Sequence, residues 1–468
     1  MTMTRYIVLL MISCGCLFSC RKFITIPSPD DQLSAAKVFN NDIAAQAAMA
    51  SPYFKLSQIG SFAGGSHASI NIVAGLYSDE LISYLSNASE GFDFYYNSLT
   101  PLNGIVASTW SNCYNNIYEC NRIIEGLSSS ENVNAELKKQ LTGEALFIRG
   151  FCHFYLVNLF GDCPLVITSN YAENASIPRA PTSEVYNQII EDLLQAKELL
   201  VDNYPSENRV RVNKGAATAL LSRVYLYIHN YVNAEAQSSE IISKQSQYEL
   251  MEDLNAVFLK TSKEAIWQLL PLGGVRGDKN YTNEAEIFLL KAQPVFYSLQ
   301  NILYEAFEPN DKRRINWIDS VKSTSGLTTW YFPFKYKQNG INGNSSEYSM
   351  VLRLAEQFLI RAEARAEQNK LFGPNSAESD INIIRNRAGK LNTIATSKEQ
   401  LLLAIEKERR LELFAEWGHR FFDLKRWGLL DKALAPPVKV NWNSTDALLP
   451  IPQSERLINL KLTQNSGY

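Results

Sequence analysis

From about residue 34 onward, apolar residues return at three- and four-residue steps through most of the chain, the period of an amphipathic helix. The run from Asn213 to Ile242 shows it best. Ala216, Leu220, Val224 and Tyr227 fall on one helix face, Asn230 interrupts, and Tyr231 and Ala234 open a second, shorter helix. A small residue inside the first helix, a tyrosine near its end and an alanine opening the next form the pattern of a tetratricopeptide-type helix pair. A similar pair is predicted over Met350 to Glu367 and Ser376 to Ala388, with Leu371-Phe372-Gly373-Pro374 as the break. A third long helix runs from Glu144 to Phe160 and is stopped by Gly161 and Pro164. Each pair exposes an apolar face, so the pairs must stack. Gly60 to Gly75, Pro271 to Asn283 and Trp317 to Asn344 lose this period and are rich in Gly, Ser, Asn and aromatic residues. They read as long excursions with a few short strands, and loops carried on a rigid scaffold are where binding residues concentrate. The fold class expected is mostly α, with tetratricopeptide-type helix pairs packed against a loop-rich subdomain.

The first twenty residues break the pattern differently. Arg5 precedes a thirteen-residue apolar run, Tyr6 to Phe18, too short to span a bilayer and of the length of a signal-peptide core. It ends in Leu17-Phe18-Ser19-Cys20, the arrangement of a bacterial lipobox, with Cys20 as the lipid acceptor and Cys16 as its rival. Residues 1–19 therefore read as a lipoprotein signal peptide and 20–33, with Pro27 and Pro29 and no helical period, as a lipidated tether. Each acyl CH₂ buried in a bilayer contributes about 0.8 kcal/mol, so several chains on one cysteine make a stable anchor. No other segment is apolar over a spanning length, and the mature protein is expected to be anchored to a membrane rather than to cross it.

Composition adds limits. A chain of 468 residues with 46% hydrophobic content has ample material for a large core, and its net charge of −3 gives no basic field for nucleic acid. Cys113, Cys120, Cys152 and Cys163 have no zinc-type spacing and read as small buried hydrophobes.

No catalytic constellation stands out. The four histidines, His67, His153, His229 and His419, show no metal spacing, and the phosphate-loop and nucleophile-elbow motifs are absent. His153 lies in an aromatic stretch, Phe151 to Tyr155, and reads as a packing residue. The stretch Ala404 to Trp427 reads as one charged C-terminal helix in which Glu408, Glu412, Glu416 and Arg420 recur at four-residue steps. Paired carboxylates suit glycoside hydrolysis, but a general acid needs a raised pKa. Here Arg409, Arg410, Arg420 and Arg426 surround the carboxylates and favour their charged form. A structural ion-pair network is expected, including Glu416–Arg420 and Glu406–Arg410 along the helix. No catalytic residue, no metal ligand and no cofactor is expected.

Taken in order, several motifs resemble the SusD/RagB family of Bacteroidetes outer-membrane nutrient-binding lipoproteins. Trp110-Ser111-Asn112-Cys113-Tyr114, leading to Asn121, is similar to the first. Gly143-Glu144-Ala145-Leu146-Phe147-Ile148-Arg149-Gly150-Phe151 with Gly161-Asp162-Cys163-Pro164 is similar to the second, and Pro178-Arg179-Ala180 with Glu184-Val185-Tyr186 to the third. Asn213-Lys214-Gly215-Ala216-Ala217, Leu352-Arg353-Leu354-Ala355-Glu356, Ile384-Arg385-Asn386-Arg387-Ala388-Gly389, Glu408-Arg409-Arg410, Asp423-Leu424-Lys425-Arg426 and Leu449-Pro450-Ile451-Pro452 follow in sequence. The resemblance implies a SusD-like fold, with 34–260 as an N-terminal helical region and 261–468 as a C-terminal SusD/RagB region. It also implies a non-enzymatic protein that binds a glycan and sits as a lid on a SusC-like TonB-dependent outer-membrane transporter. A peptide receptor of the same type, or a gating lid with no ligand affinity of its own, are the alternatives.

Sugars lay apolar C–H faces on aromatic rings while their hydroxyls pair with planar polar groups. The aromatic residues of the excursions are therefore the ligand-binding candidates: Trp317, Trp330, Tyr331 and Tyr281, with a second group at Tyr95 and Tyr96 beside Phe92 and Phe94. Asn97, Asp278 and Arg276 are the polar candidates. Trp417 and Trp427, with apolar neighbours at helical spacing, are expected in the core.

Overall fold

A computed structural model describes residues 38–58, 62–64, 66–271, 280–340 and 344–468. Cys20, the signal segment and the tether lie outside the described residues, as do Arg276 and Asp278.

The long helices are α1 (Asp42–Gln58), α2 (Ile70–Tyr77), α3 (Gly104–Ser129), α4 (Ala135–Phe160), α5 (Thr182–Leu199), α6 (Lys214–Tyr227), α7 (Tyr231–Ser243), α8 (Leu354–Glu367), α9 (Ala377–Arg387), α10 (Lys398–Leu413) and α11 (His419–Arg426). Their starts are set by short polar side chains that satisfy orphan amides. Asn103 accepts from Ile105 and Val106, Asn134 from Glu136 and Leu137, and Asn213 from Ala216. Ser376 forms a reciprocal capping box with Ser379.

From α3 to α8 each long helix packs on the next, and α8 also packs on α9 and α10. This is the stack expected from the helix pairs. Ala216, Leu220, Val224 and Tyr227 all face its interior. Gly215 lets the start of α6 close on the Tyr248 hydroxyl, where any Cβ would collide. The stack is interrupted once, between α7 and α8, by the long insertion from residue 244 to 353, yet α7 packs directly on α8.

The strands are short and antiparallel: β1 (Leu81–Ser83) with β5 (Tyr297–Leu299), β2 (Cys163–Pro164) with β3 (Arg179–Ala180), β4 (Ala265–Leu269) with β8 (Ser349–Arg353), and β6 (Ile318–Lys322) with β7 (Thr329–Pro333).

Three expectations are corrected. Met350 to Arg353 is strand, because every residue of β8 is buried and its backbone pairs with β4; the helix begins at Leu354. The end of the Gly60–Gly75 excursion enters α2, a helix buried along its whole length. The C-terminal charged helix is two helices. Ala415, Trp417 and Gly418 take positive φ values of 54°, 47° and 77°, which ends α10 and turns the chain into α11. The spacing at four residues across this turn therefore does not place Glu416 and Arg420 side by side. Glu416 instead meets Lys335 and Arg353, while Arg410 and Arg420 both reach Asp79.

The resulting network is interior rather than superficial. Arg353 bridges Glu264, Glu412 and Glu416, Arg313 bridges Asp311, Glu408 and Glu412, and Arg387 joins Glu264 to Glu412. Three arginines hold the Glu412 carboxyl far below its ordinary range despite full burial. The four described cysteines are free and buried, and His153 is buried with Nδ1 against the Arg149 carbonyl. No helix among the described residues is long and apolar enough to cross a membrane.

Candidate functional site

The segment from Phe296 to Ala306 gathers aromatic residues from four parts of the chain. Its strand β5 pairs with β1, so that Leu299 lies opposite Leu81 and Tyr297 opposite Ser83. The pairing continues one step further, where the Tyr84 amide donates to the Phe296 carbonyl at 2.8 Å and the Tyr84 hydroxyl meets Ser298 Oγ at 3.1 Å. Tyr84 is 36% exposed and Phe296 37%. His67 packs against Phe296, with ring centroids 4.5 Å apart.

Beside this edge lies the short helix Glu90–Tyr96. Phe92 and Tyr96, four residues apart, come to 4.1 Å, and Tyr95 meets Tyr96 edge-on at 4.9 Å. The Tyr95 phenol is raised above its ordinary pKa, chiefly by burial and then by Tyr96, and its hydrogen bond to the Gln300 side chain opposes this. Lys439 Nζ sits 4.4 Å from the Tyr95 ring centroid.

Gln300 immediately precedes the helix Asn301–Ala306, and one turn later Tyr304 stacks on Tyr331, with centroids 3.7 Å apart and planes 13° from parallel. Arg314 lies 5.2 Å over the Tyr304 ring. Tyr331 and Trp330 are neighbours on β7, both half-buried, and pair across the hairpin with Ser320 and Val321. The face thus runs from Tyr84 and Tyr95 past Gln300 to Tyr304 and Tyr331. It offers ring faces with interleaved amide, guanidinium and hydroxyl groups, the chemistry of a sugar surface.

The sequence candidates fare unevenly. Tyr95, Tyr96 and Tyr331 come together along this segment, and Trp330 adjoins them. Trp317 does not. It is 0% exposed, its indole donates to the Leu254 carbonyl at 2.9 Å, and Phe258, Lys335 and Arg353 surround it. A ring enclosed on that scale has no face for a ligand, because the helix Lys312–Trp317 carries it inward before the hairpin begins. Asn97 is also removed: it is 5% exposed, ends the Glu90–Tyr96 helix in the left-handed region at φ 50°, and turns its amide toward the Tyr77 carbonyl. Phe94 is core. Tyr281 is half-buried just before the Asn283–Phe288 helix, and Arg276 and Asp278 fall outside the described residues. Tyr84, Tyr304, Phe296 and Arg314 were not among the candidates. Tyr84 and Tyr304 stand in runs without the aromatic clustering that marked the others, and pairing of β1 with β5 and stacking on β7 are what bring them here.

Burial raises the carboxyls of Glu347, Asp380, Asp446 and Glu455, and it pushes Glu80 and Glu284 furthest, each up to about 7. Both point into the interior, Glu80 toward the Ala415 amide and Glu284 toward Asn71 and Ser349. Among the described residues no group of three or more His, Cys, Asp or Glu side chains could hold a metal.

Comparison with known proteins agrees with the fold. Residues 30–226 match the family described as "Starch-binding associating with outer membrane", and residues 278–443 match the "SusD family". A SusD-like protein of Formosa agariphila is 27% identical over 429 residues, covering 78% of this chain and 80% of its own. A SusD superfamily protein from Bacteroides vulgatus superposes with a TM-score of 0.80 at 22% identity, covering 92% of this chain and 100% of its own. A laminarin-binding SusD-like protein superposes with a TM-score of 0.77 at 25% identity, again covering 92% of this chain and 100% of its own. With its ordered motifs, its helical stack and these matches on both halves, the chain belongs to the SusD/RagB family.

Proposed function

We propose that this chain is a cell-surface glycan-binding lipoprotein that holds an oligosaccharide on the face from Tyr84 to Tyr331 and delivers it to a SusC-like TonB-dependent outer-membrane transporter. The observation that carries the reading is the gathering of Tyr84, Tyr95, Tyr96, Tyr304 and Tyr331 along one segment beside Gln300 and Arg314. Stacked and edge-on rings fixed by neighbouring strands form a preorganised surface, which reduces the ordering cost of binding. A glucan ligand is supported by the family description as starch-binding and by the structural similarity to a laminarin-binding relative. Attachment through Cys20 is part of the proposal and rests on the lipobox. So is the absence of hydrolysis. Of the raised carboxyls, Glu80, Glu284, Glu347, Asp380 and Asp446 are buried in the fold and the half-buried Glu455 stands beside Trp110, outside the aromatic face, while Glu412 is held ionised by arginines, so none of these is a general acid within reach of a sugar on that face.

Calorimetric titration of the purified chain with starch, laminarin and xylan oligosaccharides, and with peptides, tests this. Binding of a glycan that weakens in Tyr84→Ala and Tyr331→Ala supports it. Binding of peptides in preference to glycans favours a peptide receptor, and binding of neither leaves a gating lid.

A further inference from the structure

A cavity of about 420 Å³ opens where the C-terminus of α4, the start of α5, the end of α11 and the segment 464–466 meet. It shares no residue with the aromatic face. Two cations line it, Arg179 and Lys425. Arg179 donates to the carbonyls of Phe160, Asp162 and Thr463 and to Asn465 Oδ1. Lys425 Nζ donates to the Asn158 carbonyl at 2.6 Å. Neither forms an ion pair among the described residues. Elsewhere in the interior cations are matched: Arg223 by Glu356, Arg313 by Glu408, Arg409 by Asp423, Arg426 by Glu363 and Lys335 by Glu416. Lys439, which also lacks an ion pair, sits on the Tyr95 ring and two carbonyls.

Part of this charge is answered locally. Asn158 and Phe160 lie in the last turn of α4, whose C-terminal end carries a partial negative charge of about half a unit. Asp162 also lines the cavity, but its carboxylate is engaged in capping α5 through the Thr182 amide at 2.8 Å and hydroxyl at 2.9 Å. With Lys425 protonated, two cations stand against one carboxylate and a helix end, and the cavity is positive. Three further polar groups are already engaged: the Tyr186 hydroxyl donates to Asn158 Oδ1, Gln464 pairs with the Ile451 backbone, and Asn465 Oδ1 accepts from Arg179. Lys425 keeps two N–H donors beyond its single carbonyl partner. A half-buried ammonium with one neutral acceptor gains when an anion completes its shell.

We propose that this cavity binds a small oxyanion, a carboxylate or a sulfate group, on Lys425, with Arg179 supplying the surrounding positive field. The volume suits a sugar-sized acidic group. Burial also brings the Lys425 ammonium down to about 7, and a bound anion favours its charged form. This site stands apart from the proposed glycan face, so the failure of either leaves the other intact.

The test uses the full chain with sulfate, glucuronate and glucose at matched ionic strength, read by calorimetry and by thermal unfolding. Sulfate or glucuronate is expected to bind and raise the melting temperature, and glucose to do neither at this cavity. Lys425→Met should weaken anion binding about tenfold or more, the loss expected for a charge-assisted hydrogen bond. Lys425→Arg should restore much of it. A uronic or sulfated oligosaccharide bound more tightly than the free ion, with the excess lost in Lys425→Met, identifies the anion as part of a glycan; equal affinities identify a free ion. The proposal is overturned if sulfate and glucuronate stabilise the wild type and Lys425→Met equally, as salt exclusion from the surface does, or if neither anion binds. Ser466→Ala, outside any helix, gives a second variant; weakened anion binding with an unchanged melt supports the site independently of Lys425.

Discussion

Tyr304 stacks on Tyr331 at 3.7 Å although one belongs to a single-turn helix and the other to a hairpin strand. The contact fixes the two rings to each other and ties β7 to the segment that carries the rest of the aromatic face. Tyr331→Ala should therefore weaken binding of the recognised glycan by about 2 kcal/mol or more, as central interface aromatics do. Because Tyr331 is half-buried and at the edge of the core, the melting temperature should hardly move. Calorimetry and thermal unfolding on the same preparation separate the two. A large loss of stability with unchanged affinity would mean that the stack is structural only.

Trp317 should behave in the opposite way. Its indole is enclosed and hydrogen-bonded to Leu254, so Trp317→Ala should cost about 3–5 kcal/mol of stability. Affinity per folded molecule should stay the same. Chemical denaturation reports the first quantity, and titration below the transition the second.

Arg223 and Glu356 form a two-pronged ion pair between α6 and α8, and both side chains are 1% exposed. Removing one partner leaves a buried charge, so Arg223→Met should destabilise by about 3–5 kcal/mol. Arg223→Met combined with Glu356→Leu should recover much of that loss. A double-mutant cycle by urea unfolding checks it; a double variant worse than the sum of the singles would contradict the account.

Glu284 gives a pH signature. Its carboxyl is raised from 4.5 to about 7, mainly by burial, with hydrogen bonds from Ser349, Thr282 and Asn71 opposing. Between these values the unfolded chain has released the proton while the folded chain keeps it, so this group makes stability fall as pH rises through that window. Glu284→Gln removes the dependence. Its melting temperature relative to the wild type should climb from pH 4.5 to pH 7 and then level off, by a free energy on the order of 3 kcal/mol. A difference that stays flat across the window would show that Glu284 is ionised in the fold.

The lipobox makes a cellular prediction. Cys20→Ala should release the protein from outer-membrane fractions, as judged by detergent partitioning. Retention of that variant together with release of Cys16→Ala would move the anchor to Cys16.

The helices were readable because their apolar period and their Asn and Ser caps are local signals. Ala216 to Tyr227 announces its buried face without help from the rest of the chain. Strand β8 was not readable, since Met350 to Arg353 continues into a helix without a break and only its partner β4, far away in sequence, decides its conformation. The turn at Ala415 to Gly418 was hidden for a similar reason: four-residue spacing of charges looks continuous, and the positive φ values that end α10 are imposed by packing. At the site, Tyr95, Tyr96 and Tyr331 stood out by clustering, whereas Tyr84 and Tyr304 acquire their meaning only through β-pairing and stacking. Trp317 misled because a tryptophan at the mouth of an irregular segment looks exposed until the segment folds back over it.

The interior arginines have a consequence for how the molecule comes apart. Arg353 and Arg313 belong to the insertion, while Glu408, Glu412 and Glu416 belong to α10 and the turn after it. Lifting the insertion away would break four interior ion pairs at once, Arg313 with Glu408 and Glu412 and Arg353 with Glu412 and Glu416, and would leave Glu416 without either of its cations, Arg353 and Lys335. The segment proposed to carry the ligand is thus locked into the cooperative unit of the scaffold, and heating should melt both in a single calorimetric transition.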